Sequence, residues 1–294
     1  MELIGKITGI NTSDGMCNIA VLDEAGNLTH LKLGTEESKS LKNGDVYKFL
    51  YNVVEGERVS NFIYSVKSIN DLELEEKDTI LRAFFPNSPI ILEDAKKEIN
   101  LYLNKIDNKI IKDITKNLIN KYNNDFFTYP AATKMHHAYV GGLAYHSVGM
   151  LHMADSFVEN YPYLNKDYIY AGIMLHDIGK TIELTSAANA EYSLKGQMLG
   201  HLVIGAMEIG NMASSLGYGD CDEVLFLEHM LISHHGMPQF GSAKKPMTAE
   251  ALVLWYIDTI DSKFRVLGEE LEKTEKGTYT DSIGVLDRAK IYKI

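Results

Sequence analysis

Seven imidazole and carboxylate side chains between residues 146 and 258 constrain the fold more than any other feature of the sequence. They are His146, the adjacent pair His176 and Asp177, then His201, the adjacent pair His234 and His235, and finally Asp258. Nearly all of them fall in helical patterns, where a buried polar group without a partner is costly. A helical fold that gathers these side chains around bound metal is the simplest explanation of the pattern.

The helix predicted around Asp258 makes this argument most clearly. Residues 247–268 include good helix formers, and an apolar stripe through Ala251, Leu254 and Trp255 continues to Asp258. A carboxylate that faces a core needs a compensating cation or strong hydrogen bonds. A lone aspartate would be interpreted as a core residue satisfied by a salt bridge or a helix cap, but Asp258 is one of a set.

Two pairs of adjacent residues occupy predicted helix ends. His234 and His235 close one apolar helical stripe, His176 and Asp177 close another, and a glycine follows each pair within two residues. Consecutive helical residues point about 100° apart, so adjacent ligands suit a site with two ions better than a site with one. Asp177 is the natural bridge, because each of its two oxygens can bind a metal. Taken singly, each histidine is more simply a core or surface residue.

The order of these residues, H…HD…H…HH…D, resembles the ligand order of the HD-domain phosphohydrolase superfamily in its two-metal form. The resemblance implies that the site shared across the superfamily comprises His146, His176, Asp177 and Asp258. It also implies that the additional ligands of the dinuclear subgroup are His201, His234 and His235.

A narrower resemblance covers nearly the whole chain. It rests on residues 130–146 (PAATKMHHAYVGGLAYH), 194–201 (LKGQMLGH) and 256–263 (YIDTIDSK), and on the tail from Gly277 to Tyr292. These segments are similar to those of the YhaM-type 3′-to-5′ exoribonucleases, which carry an oligonucleotide-binding (OB) domain ahead of the HD domain. The resemblance implies metal-dependent hydrolysis of single-stranded RNA, and also of single-stranded DNA, to nucleoside 5′-monophosphates.

The first seventy or so residues test this resemblance, because they should form a small barrel. Alternating apolar and polar residues, with glycine or Asn/Asp turns between them, predict strands at 3–10, 16–23, 28–33, 46–54 and 59–69. The pattern suits a Greek-key barrel, although an SH3-like barrel would have almost the same one. We therefore predict a multi-domain chain with a small all-β OB-like barrel at 1–72, a helical linker or arm at 73–130 and an all-α HD domain at 131–294.

Three further side chains receive a predicted role. Lys180, in the sequence His-Asp-Ile-Gly-Lys, resembles the lysine of the HD signature, and with Asp177 it is the predicted catalytic pair. It would contact a phosphate oxygen or help the leaving group depart; the alternative is a cation at a helix C-terminus. His136 and His137 match a family motif outside the seven ligands and are predicted substrate contacts, although they could equally be surface or packing residues.

The ligand chemistry bears on the metal. Imidazole-rich sites favour Mn, Fe, Co, Ni or Zn over Mg, which prefers oxygen ligands. The family resemblance puts a pair of Mn²⁺ ions first and iron next. Two such ions roughly 3.5–4 Å apart can lower the pKa of a shared water toward about 7 and stabilise the attacking and leaving oxygens of an in-line displacement.

The net charge of −11 argues against a nucleic-acid partner, because phosphate contacts usually come from Lys and Arg. Two divalent ions would offset part of this charge at the scissile phosphate, and OB surfaces can stack bases on aromatic rings. The candidates for such a platform are Tyr47, Phe49, Tyr51, Phe62 and Tyr64. Because the first three alternate on one face of a strand, the barrel core is the simpler explanation for most of them.

Several features indicate a protein of the reducing cytoplasm. No membrane span or signal peptide is evident, and the two cysteines, Cys17 and Cys221, fall in different predicted domains without a CxxC spacing. A homo-oligomer would help acidic protomers to confine a strand.

Three functions fit the sequence. The first is the exoribonuclease, and the second is an HD phosphohydrolase of small nucleotides or cyclic dinucleotides, which the acidic surface would suit better. The third is a non-catalytic nucleic-acid or protein-interaction module with a structural metal site.

Overall fold

A computed structural model describes residues 1–13, 15–56, 59–131, 139–188 and 190–294. The chain has an N-terminal β-barrel followed by a helical region. The strands are β1 (Glu2–Ser13), β2 (Met16–Leu22), β3 (Leu28–Gly34), β4 (Val46–Val54) and β5 (Ser60–Ser68). The short helix α1 (Thr35–Ser38) connects β3 to β4.

The barrel closes in the order β1-β2-β3-β5-β4, with β4 pairing back to β1. The pairing of β3 with β5 is parallel and places Lys32 opposite Phe62, whereas the other pairs are antiparallel. Alternate residues point inward, so Ile7, Leu31 and Phe49 are completely buried in the barrel core. This five-stranded Greek-key closure confirms the predicted OB-like barrel.

Helices make up most of the remaining chain. The first group is α2 (Leu74–Phe84), α3 (Leu92–Lys105), α4 (Lys109–Lys121) and α5 (Asn123–Thr128). The second group is α6 (Gly142–Asn160), α7 (Lys166–Leu175), α8 (Lys180–Glu183), α9 (Leu194–Ser215), α10 (Asp222–Ser233) and α11 (Ala249–Lys273). Short 3₁₀ turns lie at Ile69–Asp71, Pro238–Phe240 and Gly284–Leu286.

One apolar core unites the two helical groups. Its buried members extend from Leu74 on α2 through Ile173 on α7 to Ile257 on α11. Because apolar stripes on α6, α7, α9, α10 and α11 turn toward this core, the helix ends that carry the polar site residues are held by well-packed side chains.

A second apolar cluster joins the barrel to the helical region. It contains Val46 of the barrel, Ile80 and Leu81 of α2, and Val140 just before α6. Ala187, in the α8–α9 connection, packs against the same cluster. The predicted boundaries at 72 and 130 stay predictions. In the described part of the chain, no helix is long and apolar enough to cross a membrane.

Candidate metal centre

Five helices deliver the seven predicted ligands to one place. The ligand atoms of His146 (α6), His176 and Asp177 (end of α7) lie within 4.8 Å of one another. Those of a second group also lie within 4.8 Å of one another, and its members are His201 (α9), His234 and His235 (end of α10). Asp258 of α11 joins the first group, because its Oδ1 lies 3.1 Å from Nε2 of His146.

Asp177 lies between the two groups and turns one oxygen toward each. Its Oδ2 is 3.3 Å from Nε2 of His176. Its Oδ1 is 3.4 Å from Nε2 of His201 and 3.9 Å from Nε2 of His234. This is the arrangement that a carboxylate bridging two ions requires, because each oxygen can serve a different ion.

Backbone carbonyls orient three of the imidazoles. In His176 and His234, Nδ1 donates to the backbone carbonyl oxygen three residues earlier in the chain, at 2.8 Å and 2.7 Å. In His235, Nδ1 donates to the carbonyl oxygen of Phe240 at 2.8 Å. A carbonyl oxygen can only accept, so the proton of each neutral ring sits on Nδ1 and the lone pair sits on Nε2. All three rings therefore present a metal-binding nitrogen to the site.

Carboxylates orient the other two imidazoles, and the sequence did not lead us to them. Nδ1 of His146 lies 2.7 Å from Oδ2 of Asp261, and Nδ1 of His201 lies 3.1 Å from Oε2 of Glu183. Burial alone would lower the pKa of His146, but hydrogen bonds to Asp258 and Asp261 raise it to about 9. Asp261 falls within the segment 256–263 that carries the family resemblance, whereas Glu183 had no comparable signal.

Three atoms of the cluster are buried without a hydrogen-bond partner in the described part of the chain. They are Nε2 of His176, Oδ1 of Asp177 and Nε2 of His201. An unsatisfied buried polar atom costs about 1–3 kcal/mol, so three in one place would be a heavy penalty without a compensating ligand. All three have lone pairs and belong to the two groups of ligand atoms, as donors to divalent ions would. The residues present therefore fit a metal centre.

At Asp177, His234 and His235, electrostatics sets protonation states that suit metal binding. Burial opposes ionisation of Asp177, yet the Lys180 ammonium and His176 hold the pKa of Asp177 well below its usual range. Burial lowers the pKa of His234 well below its ordinary value and lowers that of His235 as well. An ionised carboxylate and neutral imidazoles are the forms that bind metal.

Lys180 is the first residue of α8 and is part of the cluster. Its Nζ donates to Oδ2 of Asp177 and to the carbonyl oxygen of Ala131, both at 2.6 Å. Because α8 has four residues, Lys180 also lies in its last turn, so the catalytic role and the alternative of a cation at a helix C-terminus both stay predictions. The ammonium supplies a positive charge beside the Asp177 carboxylate.

Glycines allow the close approach of the ligand-bearing segments. A Cβ at Gly179 would lie 2.1 Å from the carbonyl oxygen of His201, so α8 and α9 can meet only without a side chain there. Gly236, with φ of 76°, follows the two histidines of α10 and lies directly against the indole of Trp255, where a Cβ would be 1.9 Å from a ring carbon. The turns beside the His-Asp and His-His pairs therefore depend on glycine for packing.

His136 and His137, the predicted substrate contacts, lie outside the described residues. Their role stays a prediction.

Comparison with known proteins agrees with the geometry. Residues 143–263 match the family model of the HD domain. The 3′-5′ exoribonuclease YhaM of Geobacillus sp. (strain WCH70) is 44% identical over 210 residues, which cover 71% of this chain and 64% of that protein. The chain thus spans less than two thirds of the length of this curated relative. These findings confirm the resemblance stated above and the predicted order of an OB-like barrel followed by an HD domain.

Proposed function

From the HD domain at residues 143–263 and the similarity to a 3′-5′ exoribonuclease, we propose that this chain is a metal-dependent phosphodiesterase that degrades single-stranded RNA from the 3′ end. The products are nucleoside 5′-monophosphates. The observation that carries the proposal is the position of Asp177, whose two oxygens face two separate groups of buried ligand atoms. A structural site would need neither this bridge nor the ammonium of Lys180 beside it.

The proposed site holds two divalent ions. The first is held by His146, His176, Asp177 and Asp258, and the second by Asp177, His201, His234 and His235. Ions bound there supply Lewis acidity toward the phosphate and lower the pKa of a water nucleophile. Five imidazoles against two carboxylates favour a transition metal over Mg, and we propose Mn²⁺ first and iron next.

The chain's own residues orient the reaction. Asp177 fixes the separation of the two ligand groups. Lys180 places its ammonium 2.6 Å from Asp177, where it can also donate to a phosphate oxygen and stabilise charge on the leaving oxygen. The anchored Nδ1 atoms of the five histidines keep the imidazoles from turning, so the phosphate meets preorganised groups.

The barrel offers a site for the strand. Phe62 and Tyr64 of β5 are exposed, and Nζ of Lys32 lies 5.6 Å from the centre of the Phe62 ring. Aromatic rings beside a cation suit stacking of successive bases with a nearby phosphate. Tyr47 and Phe49 are buried in the barrel core and do not offer such a face. Action on single-stranded DNA, assembly into a homo-oligomer and a cytoplasmic location are further proposals.

The second candidate is hydrolysis of small nucleotides or cyclic dinucleotides, which the net charge of −11 favours. An RNA strand brings many phosphates toward an acidic protein, whereas a small nucleotide brings fewer negative charges and is repelled less.

One assay separates these functions. Protein loaded with Mn²⁺ is incubated with 5′-labelled single-stranded RNA and, separately, with mononucleotides and cyclic dinucleotides. A ladder that shortens from the 3′ end is the expected result, whereas hydrolysis of the small substrates alone supports the second candidate. Bound metal without any hydrolysis would leave only the non-catalytic module.

Two aspartate variants test the assignment of the site. Asp177→Asn should abolish hydrolysis and lower the metal content, because an amide offers one neutral acceptor oxygen in place of two charged ones. Asp167→Asn is the matched control, since Asp167 is buried on α7 and accepts from the backbone at Asp107 and Asn108, away from the ligands. An active Asp177→Asn protein with its full metal content would end the proposal.

A further inference from the structure

Glu183, the last residue of α8, makes an unusual double contact with one ligand. Its Oε1 accepts from the backbone nitrogen of His201 at 3.0 Å, and its Oε2 lies 3.1 Å from Nδ1 of the same residue. Glu183 is buried, although neither the sequence patterns nor the comparisons gave it a role. One carboxylate thus holds both the backbone and the ring of His201.

The backbone contact follows from a break in α9. Gly200 has φ of 69° and ψ of 159°, so the helix is interrupted there and begins again at His201. The first backbone N–H groups of a helix have no partner within it, and negative charge is favourable at that end. Glu183 supplies both the acceptor and the charge at this internal helix start.

Close packing fixes Glu183 itself. A Cβ at Gly196 would lie 2.4 Å from the carbonyl oxygen of Glu183, so the first turn of α9 lies directly on the end of α8. The same carbonyl oxygen accepts from the backbone nitrogen of Ser193 at 2.8 Å. With its backbone held in this way, Glu183 has little freedom to move away from His201.

We propose that Glu183 is a positioning residue that controls loading of the second metal ion. It aims Nε2 of His201 at Oδ1 of Asp177, 3.4 Å away, and leaves that nitrogen free of other hydrogen bonds among the described residues. The other two histidines of the second group are anchored by backbone carbonyls. Glu183 is thus the side-chain anchor of this group, and the inference rests on the proposed site for two ions.

Asp261 has the corresponding position in the first group. It lies 2.7 Å from Nδ1 of His146 and accepts from Nε of Arg265 at 2.7 Å, so it is fixed from the other side. A Cβ at Gly149 would lie 2.3 Å from the Arg265 guanidinium, and the glycine therefore makes room for this pair. Each ion is expected to depend on its own carboxylate anchor.

The test measures metal binding directly. Metal-free wild type, Glu183→Gln and Asp261→Asn are titrated with Mn²⁺ by calorimetry, and bound metal is counted by mass spectrometry after dialysis. Loss of such an anchor typically costs about 10–100-fold in metal affinity. Glu183→Gln should weaken one of the two binding steps by this factor and leave the other unchanged. Asp261→Asn should weaken the other of the two binding steps. Excess Mn²⁺ should restore hydrolysis in Glu183→Gln.

Glu208→Gln is the matched control. Glu208 is buried on the same helix, α9, and accepts from Nζ of Lys121 at 2.7 Å and from the hydroxyl of Tyr122, so it does not contact the ligands. The control should keep both wild-type affinities. If Glu183→Gln does not fold, Glu183→Asp keeps the charge but shortens the side chain by one methylene, and the same loss is expected.

The outcomes separate this inference from the function on which it rests. Two wild-type affinities in Glu183→Gln would overturn the role of Glu183 and leave the proposed function intact. A wild-type protein that binds one ion at saturation would instead refute the two-ion site, and with it the inference.

Discussion

Gly179→Ala should disable the metal centre through a single methyl group. Gly179 has helical dihedral angles, φ of −60° and ψ of −22°, so alanine is acceptable to the local backbone. The effect is therefore steric. The added Cβ would lie 2.1 Å from the carbonyl oxygen of His201 and 2.9 Å from the amide nitrogen of Gly205, and both obstacles are backbone atoms that cannot rotate away.

The size of the effect follows from these distances. Ordinary contact begins at 3.4 Å, so α8 and α9 must separate by about 1.3 Å near His201. Overpacking of this kind costs about 1–3 kcal/mol, which should lower the Tm by roughly 2–4 °C per kcal/mol. Hydrolysis should suffer more, because a misplacement of about 1 Å can cost about 10²-fold in rate. The measurements are thermal melts with and without Mn²⁺, bound metal, and the rate of RNA shortening.

Gly268→Ala provides the comparison. Gly268 lies within α11, and a Cβ there would meet no atom of the described residues within 4 Å. Alanine in place of a helical glycine should stabilise the protein by up to about 1 kcal/mol and leave the rate unchanged. A Gly179→Ala protein with the wild-type Tm, metal content and rate would show that α8 and α9 need not touch for the site to form.

Three further results are expected. Lys180→Met should lower the hydrolysis rate by about 10²–10³-fold, as loss of a charge-stabilising donor does; an unchanged rate would remove Lys180 from the mechanism. The double variant Phe62→Ala, Tyr64→Ala should weaken binding of single-stranded RNA by about 1–3 kcal/mol per lost stack. Its rate of hydrolysis of a dinucleotide should stay unchanged, because so short a substrate does not reach the barrel. An equal loss of activity on RNA and on the dinucleotide would argue against base stacking on the barrel. Chelation should lower the Tm, because an ion at a hundredfold excess over its Kd stabilises the fold by about 2.7 kcal/mol; calorimetry without a shift would mean that the native state holds no ion.

Local patterns predicted the strands and the small barrel that they form, but they did not predict every strand pairing. The alternation of apolar residues predicted a strand at 46–54, which is where β4 lies. The first strand is longer than predicted, because the pairing of β1 with β2 shifts at Gly9 and continues to Ser13. The parallel contact of β3 with β5 could not be predicted from alternation, because it depends on the register of strands that are not adjacent in the chain.

The candidate metal ligands were predictable from the sequence, and the carboxylates that hold two of them in place were not. Imidazoles and carboxylates at the ends of apolar helices stand out in sequence, since their polarity conflicts with the surrounding stripe. Glu183 lies in a helix of four residues, too short to show a period, and its partner His201 is on another helix. The helix is interrupted at Gly200, and this leaves the backbone nitrogen of His201 in need of an acceptor. Such an interruption depends on tertiary structure and is not visible in the local sequence.

Chain-wide acidity and local charge act over different distances. The charged side chains of the site are Asp177, Glu183, Asp258, Asp261, Lys180 and Arg265. With the imidazoles neutral, these acids outnumber these bases by two, and two divalent ions reverse this balance to a positive one. Remote surface charges are screened beyond a Debye length of about 10 Å at 0.1 M salt, whereas buried charges are screened much less.

A phosphodiester that reaches the loaded site therefore meets a positive field, even though the chain as a whole has a net charge of −11. The same acidity repels the rest of the strand, because Asp and Glu outnumber Lys and Arg by 40 to 29. Affinity for RNA should thus depend on bound metal and on base stacking at the barrel, and only weakly on salt. This combination suits an enzyme that engages a short single-stranded 3′ end rather than one that coats a long polymer.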